Sequence, residues 1–174
     1  MEALDRVWKW LPVAVAEPNN LEAREQLAWA AHYALCSGGI PNGHAAAHAI
    51  GALYHLVHGH ACIVVLPTVI RHHAVTSEAV IAKIAKIVGV PATEGAEKTA
   101  ERVAEAVREF YHGFGLRSVQ EELKAQGIED DRETFVKKMV PAMLDDFKSH
   151  EWRPPIHETY EAAANVCGMI YDEP

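Results

Sequence analysis

Residues 42–74 read NGHAAAHAIGALYHLVHGHACIVVLPTVIRHHA, and this stretch decides the fold class. It holds seven of the eleven histidines: His44, His48, His55, His58, His60, His72 and His73. His44, His48 and His58 stand at offsets 0, +4 and +14, with small and apolar residues around them. Imidazole is the commonest protein ligand for first-row metals, so histidines in an apolar wall suggest a metal site. A histidine on an apolar helix also occurs as a hydrogen-bonded core residue. Spacing by itself leaves both readings open.

Helix geometry sharpens the test. His44 and His48 lie one turn apart, about 6 Å along the axis, on one face. With Asn42 as cap, His44 falls in the first turn, where the positive end of the dipole disfavours imidazolium. His58 would lie about 21 Å from His44 in an unbroken helix, too far to share an ion bound at about 2.1 Å. A shared metal therefore requires the helix to stop near residues 51–54 and the chain to turn back. Gly59 is suited to the turn after His58, because glycine tolerates positive φ.

Helical periodicity extends outward in both directions. Upstream, Leu4, Val7, Trp8 and Leu11 define a short amphipathic helix expected to stop at Pro12 or soon after. Asn19 and Asn20 are cap candidates for a helix over residues 21–36, with Leu27, Ala31, Ala34 and Leu35 inward and Ser37-Gly38-Gly39 as its stop. Pro41-Asn42-Gly43 opens the histidine helix at about His44. Downstream, residues 60–74 form an apolar helix bent or interrupted at Pro67. Thr76 or Ser77 caps a helix to about Val88, with Val80, Ile81, Ile84 and Ile87 on one face. Residues 95–112 form a charged amphipathic helix with Val103, Val107 and Phe110 inward. A short helix covers 118–126 and stops at Gly127. Residues 130–147 are helical, in two pieces or kinked at Pro141, and 157–171 close the chain. No stretch alternates with period two, so no sheet is expected.

The chain of 174 residues is 49% hydrophobic and 23% charged, ordinary for a globular protein. Its net charge of −8 argues against a nucleic-acid partner, since no excess of Lys and Arg exists to release counterions. Cys36, Cys62 and Cys167 read as small buried hydrophobes in a reducing, cytoplasmic setting. The N-terminal segment lacks the basic start and long apolar run of a secretory signal. The apolar region 45–70 is interrupted by histidines and Pro67, so no membrane span is expected. A di-metal bundle needs Glu-x-x-His pairs on facing helices, and the sequence holds no such pair. An HD-type phosphohydrolase is disfavoured, because no His-Asp dipeptide occurs.

The histidine stretch resembles the iron-containing (type III) alcohol dehydrogenases. Their pattern is a histidine, three residues, a histidine, two residues and a glycine, then His-Gly, then apolar residues ending in Leu-Pro. Here it reads His44-AAA-His48-AI-Gly51-ALYHLV-His58-Gly59-HACIVV-Leu66-Pro67. A looser likeness covers LEAREQLAWAAHYAL, the helices after Thr76, LRSVQEELKAQGI and WRPPIHETYEAA, together spanning about residues 3 to 170. The resemblance implies an all-α fold of about eight to nine helices over residues 1–174. This is the family's dehydroquinate-synthase-like C-terminal helical half, as a single domain without the N-terminal nucleotide-binding domain.

By the same resemblance, His44 and His58 fall on two metal ligands. His48 falls on a histidine near the nicotinamide with a proton-transfer or positioning role. The implied metal is Fe2+ or Zn2+. NAD(P) would be used only with the missing domain, and the substrate would be a small alcohol or carbonyl compound. The family's other two ligands, an aspartate and a histidine four apart on a helix, would lie upstream of Met1. Val57 stands where a proline usually precedes the His-Gly. The reading is therefore an alcohol dehydrogenase metal-site domain, incomplete and inactive in isolation. A nucleotide-binding domain or subunit is one partner it could need, and a homo-oligomer is another possible assembly. The alternative is a non-catalytic helical metal- or ligand-binding protein. A third reading is a structural module whose histidines are simply buried. Among the remaining histidines, His55 and His60 line the cleft or pack. His72 and His73 suit a helix C-terminus as cations, and His112, His150 and His157 read as surface.

Overall fold

The computed structural model describes residues 1–36, 42–92, 95–149 and 159–174; side chains at 42 and 147–149 lie outside the description. Among the described residues every regular element is an α-helix, as the periodicity requires. The chain divides into two units, one of residues 1–39 and 74–103, the other of residues 40–73 and 104–174.

In the first unit, helix α1 (Glu2–Ala16) packs on α2 (Leu21–Cys36) and on α5 (Glu78–Val88). Helix α6 (Ala96–His112) begins here, and the division falls inside it. The expected stop at Pro12 does not occur, and α1 runs through it to Ala16. A proline inside a helix removes one donor and strains one turn, and here α1's packing on α2 and α5 outweighs that loss. Asn20 caps α2 as expected, its Oδ1 accepting from the Ala23 N–H at 3.0 Å.

The inner face of α2 differs from the expectation. Ala23 and Ala30 are buried, whereas Ala31, Ala34 and Leu35 are exposed, Leu35 at 84%. An alanine-rich helix carries so little amphipathic contrast that the sequence does not say which stripe faces in. On α5 the buried face is Ile81, Ala85 and Val88, with Val80 exposed. The expected stop at Ser37-Gly38-Gly39 lies outside the described residues.

The second unit contains α3 (Asn42–Tyr54), α4 (His58–His72), α7 (Val119–Ala125), α8 (Arg132–Ser149) and α9 (Tyr160–Asp172). Helix α3 packs between α4 and α8, and α9 packs on α4, α7 and α8. The core runs through Ile50, Val64, Tyr111, Phe135, Met139, Met143 and Ile170, all essentially buried. Tyr54 stacks on Phe135 at 5.4 Å and donates its hydroxyl hydrogen bond to Asp130 Oδ2 at 3.0 Å. Burial, aided by that bond, holds the Tyr54 phenol well above its ordinary pKa.

Helix α8 is one continuous helix through Pro141, where two pieces or a kink were expected. Val140 and Met143 beside the proline are fully buried, and that packing carries the helix past the missing donor. Helix α7 opens with a capping box, Ser118 accepting from the Glu121 N–H at 3.4 Å and Glu121 from the Ser118 N–H at 2.8 Å. The cysteines differ from one another: Cys167 is buried, Cys62 is half-buried and Cys36 is exposed, with no disulfide among the described residues. No described helix is long and apolar enough to cross a membrane.

Candidate metal centre

The break demanded by a shared site is present. Helix α3 ends at Tyr54, and His55 takes a left-handed conformation with φ of 56°. Val57 then caps α4, which starts at His58. The turn thus precedes His58 and uses a histidine; the further turn expected after His58 at Gly59 does not occur, and Gly59 lies inside α4. Gln126 Nε2 donates to the Tyr54 carbonyl at 3.0 Å, satisfying one acceptor at the end of α3.

Folding back brings all three histidines together. The His44 and His48 ring centroids are 4.6 Å apart, His44 and His58 4.9 Å, and His48 and His58 5.4 Å. One ligand atom from each lies within 4.8 Å of the others. His44 and His48 are half-buried and His58 is exposed. Helix α3 begins at Asn42, two residues before His44, so His44 occupies the first turn as the spacing predicts. Three imidazoles converging from two helices, two of them in first turns, suit a divalent first-row ion.

Two further groups at this centre were not found from the sequence. Asp146, on α8, accepts from His48 Nδ1 at 3.1 and 3.2 Å through its two oxygens. An ionised carboxylate only accepts, so Nδ1 is the nitrogen that donates to Asp146, which in a neutral ring leaves Nε2 to accept. Nothing in spacing signals a partner 98 positions away. Cys62 lies one turn after His58 on α4, its Sγ 3.5 Å from His58 Nε2 and 4.0 Å from His44 Nδ1. That i, i+4 relation was a readable signal. Burial holds the Cys62 thiol above its ordinary pKa.

Beside His44 lies a groove of about 300 Å³, lined by Gly43, His44, Cys62, Ile63, Leu66 and Val69 among others. Gly43, on the wall of this groove, leaves no room for a side chain. A Cβ there would come within 2.7 Å of Val69 Cγ2, so α3 and α4 approach closely where His44 enters the site. At the bend between the two helices Leu53 and Val57 are exposed, Val57 at 78%.

The other histidines separate from this centre. His60 Nε2 is paired with the Arg117 carbonyl at 2.8 Å, and His55 is exposed at the bend. His72 and His73 end α4, but burial lowers both pKa values, so the expected cation at that terminus is disfavoured. His112 is half-buried and stacks on Tyr111 at 4.6 Å. His150 and His157 lie outside the described residues.

Comparison with known proteins identifies the family. Residues 1–163 match the model of the Fe-containing alcohol dehydrogenase family, C-terminal part. The chain belongs to the iron-containing alcohol dehydrogenase family and corresponds to its C-terminal helical domain. It is 30% identical over 141 residues to the NAD-dependent methanol dehydrogenase of Bacillus methanolicus, covering 79% of this chain and 36% of that protein. Over 92 residues it is 37% identical to the 1,3-propanediol dehydrogenase of Klebsiella pneumoniae, covering 51% of this chain and 24% of that protein. The crystal structure of a 1,3-propanediol oxidoreductase superposes with a TM-score of 0.74 at 26% identity, over 98% of this chain and 44% of that one. An alcohol dehydrogenase from Oenococcus oeni shares the fold, with a TM-score of 0.79 at 24% identity over 98% of this chain and 43% of that one. The chain thus spans less than half the length of these relatives.

Proposed function

We propose that these residues form the metal-holding half of an NAD(P)-linked alcohol dehydrogenase acting on a small alcohol or its carbonyl partner. The observation that carries the reading is the α3–α4 reversal. It brings His44 and His58 to 4.9 Å between ring centroids, although they stand fourteen positions apart. His44 and His58 would hold the ion, with Fe2+ or Zn2+ as the candidates. The ion, when bound, supplies Lewis acidity toward the alcohol or carbonyl oxygen.

The chain's own residues do the rest. His48 is held by Asp146 with its Nδ1 proton committed, leaving Nε2 as the proton-accepting or positioning atom. The groove beside His44 supplies an apolar wall that suits a short carbon chain. Hydride transfer requires a nicotinamide, and in this reading a nucleotide-binding domain or subunit provides it. The exposed Val57, next to His58 in the chain, suits contact with such a partner or a second copy. The 174 residues by themselves are therefore expected to oxidise no alcohol at enzymatic rates.

The test is metal stoichiometry. The purified chain is incubated anaerobically with Fe2+ or Zn2+, desalted and analysed for metal, beside His44→Ala, His58→Ala and His48→Ala. About one equivalent in wild type and in His48→Ala, lost in both other variants, is the expected pattern. Wild-type protein that retains no metal, or metal retained without His44 and His58, would sink the assignment.

A further inference from the structure

The reversal between α3 and α4 has to be held by its surroundings, because one of its residues resists it. His55 carries a Cβ yet takes a φ of 56°, a conformation that persists only where neighbouring structure over-determines it. The returning chain rests close on α3: a Cβ on Gly51 would stand 3.4 Å from the Leu56 carbonyl oxygen. The reversal turns on Tyr54, the last residue of α3. Its side chain and its main chain are both gripped by one short segment, the connection between α7 and α8. Gln126 Nε2 donates to the Tyr54 main-chain carbonyl at 3.0 Å, and the Tyr54 hydroxyl donates to Asp130 Oδ2 at 3.0 Å. Asp130 is fixed in its turn. Lys138 Nζ donates to its two carboxylate oxygens at 2.8 and 2.6 Å, and the Tyr171 hydroxyl donates to its main-chain carbonyl at 3.1 Å. Burial and the adjacent carboxylate keep the Tyr54 phenol protonated, so it remains a donor.

We propose that Asp130 is a positioning residue for the metal centre: through Tyr54 it fixes the end of α3, and with it the reversal that presents His58 to His44. This rests on the reading of His44 and His58 as ligands and extends it to a residue on another part of the chain. His58 follows His55 by three positions and opens α4, so any rotation about the His55 backbone carries the start of α4 and its imidazole with it. Distances in a metal site are held to within about 0.2 Å. A bend free to leave its left-handed conformation would therefore present both imidazoles to an ion for only a fraction of the time. Apparent affinity falls by that fraction. The carboxylate that accepts from Tyr54 thus sets how much of the population is ready to bind.

Zn2+ is the probe. The 174-residue chain is stripped of metal, and Zn2+ affinity is measured by competition with a chelating dye. Wild type is compared with Tyr54→Phe, Asp130→Ala, Asp130→Asn and Asn20→Ala, with circular dichroism confirming equal helix content. Tyr54→Phe keeps the ring that stacks on Phe135 and loses only the hydroxyl. Asp130→Asn keeps an amide oxygen able to accept from Tyr54. Asn20→Ala removes the cap of α2, in the other unit, and lowers stability without touching the bend. Tyr54→Phe and Asp130→Ala should each weaken Zn2+ binding by about tenfold or more, within the roughly 10–100-fold that supporting contacts of a metal site carry. Combining the two should add little, because both remove the same bond. Asp130→Asn and Asn20→Ala should bind as wild type does. Affinity unchanged in Tyr54→Phe and Asp130→Ala, or lost as far in Asp130→Asn or Asn20→Ala, overturns the positioning role and leaves the histidine site standing. Absence of Zn2+ binding in wild type overturns the histidine site itself, and this proposal with it.

Discussion

Replacing Gly43 by alanine tests the close approach that places His44. The new Cβ would stand 2.7 Å from Val69 Cγ2 and 3.5 Å from Val65 Cγ2. Carbon atoms pack comfortably at about 3.5–4.0 Å, so Val69 must yield by close to 1 Å. Valine is β-branched and stiff about χ1, which leaves a backbone shift or an unfavourable rotamer as the response. Overpacking of this kind costs about 1–3 kcal/mol. Against it stands the gain of alanine over glycine in a helix, about 1 kcal/mol in an interior. Gly43 is the second residue of α3, so only part of that gain applies. The expected net loss is about 1–2 kcal/mol, read as a lower urea midpoint at unchanged slope by far-ultraviolet circular dichroism. In a Val69→Ala background the obstructing methyl is gone, and Gly43→Ala should become neutral or stabilising. That coupling is the signature of direct contact. A Gly43→Ala protein more stable than wild type, or one equally destabilised in both backgrounds, would refute the packing argument.

Asp146→Ala should release the His48 ring from its Nδ1–H tautomer, read by nitrogen-15 NMR of the imidazole; an identical tautomer in both proteins would show that Asp146 does not hold it. Tyr111 is essentially buried, and its hydroxyl has no hydrogen-bond partner among the described residues, so Tyr111→Phe should be neutral to slightly stabilising at pH 7. Burial, with Glu173 nearby, pushes the Tyr111 phenol from 10.0 up to about 12. Stability from the neutral phenol is therefore complete below about pH 10 and lost as pH rises through about 12, an interval corresponding to about 3 kcal/mol. Tyr111→Phe should show a smaller alkaline decline than wild type, the remainder coming from the buried Tyr54 and Cys167, and matched urea midpoints between pH 9 and 12 decide the point.

Much of the architecture was readable because it is helical and local. Residues 21–36 carried both a cap in Asn20 and a helix of the right length. The reversal after α3 was demanded by ligand geometry before any coordinates: His44 and His58 cannot meet without it. What failed to show falls into two physical kinds. The helices α1 and α8 continue past Pro12 and Pro141 because packing against neighbours offsets one lost backbone bond, and a sequence shows the loss but not the packing. The inner face of α2 was misassigned because its alanines give almost no contrast between faces. In the site, the three histidines were found by spacing, and their likeness to the family pattern is what suggests His44 and His58 as ligands and a proton-transfer or positioning role for His48. Asp146 was invisible, since α8 meets α3 only in the folded chain. Cys62 was visible at one turn from His58 but was read as a small hydrophobe, the commoner role for an isolated cysteine.

The hairpin of α3 and α4 also has a consequence in time. His44 and His58 are joined by a single bend at His55, and closing a loop of about ten residues takes only tens of nanoseconds once the helices exist. The bond from His48 to Asp146 spans 98 positions and waits for α8 to dock. Contacts of such separation are the slow ones in folding. The imidazole pair and its carboxylate support are thus assembled on different clocks. On that ordering the histidines of the hairpin can meet before His48 gains the carboxylate that orients it.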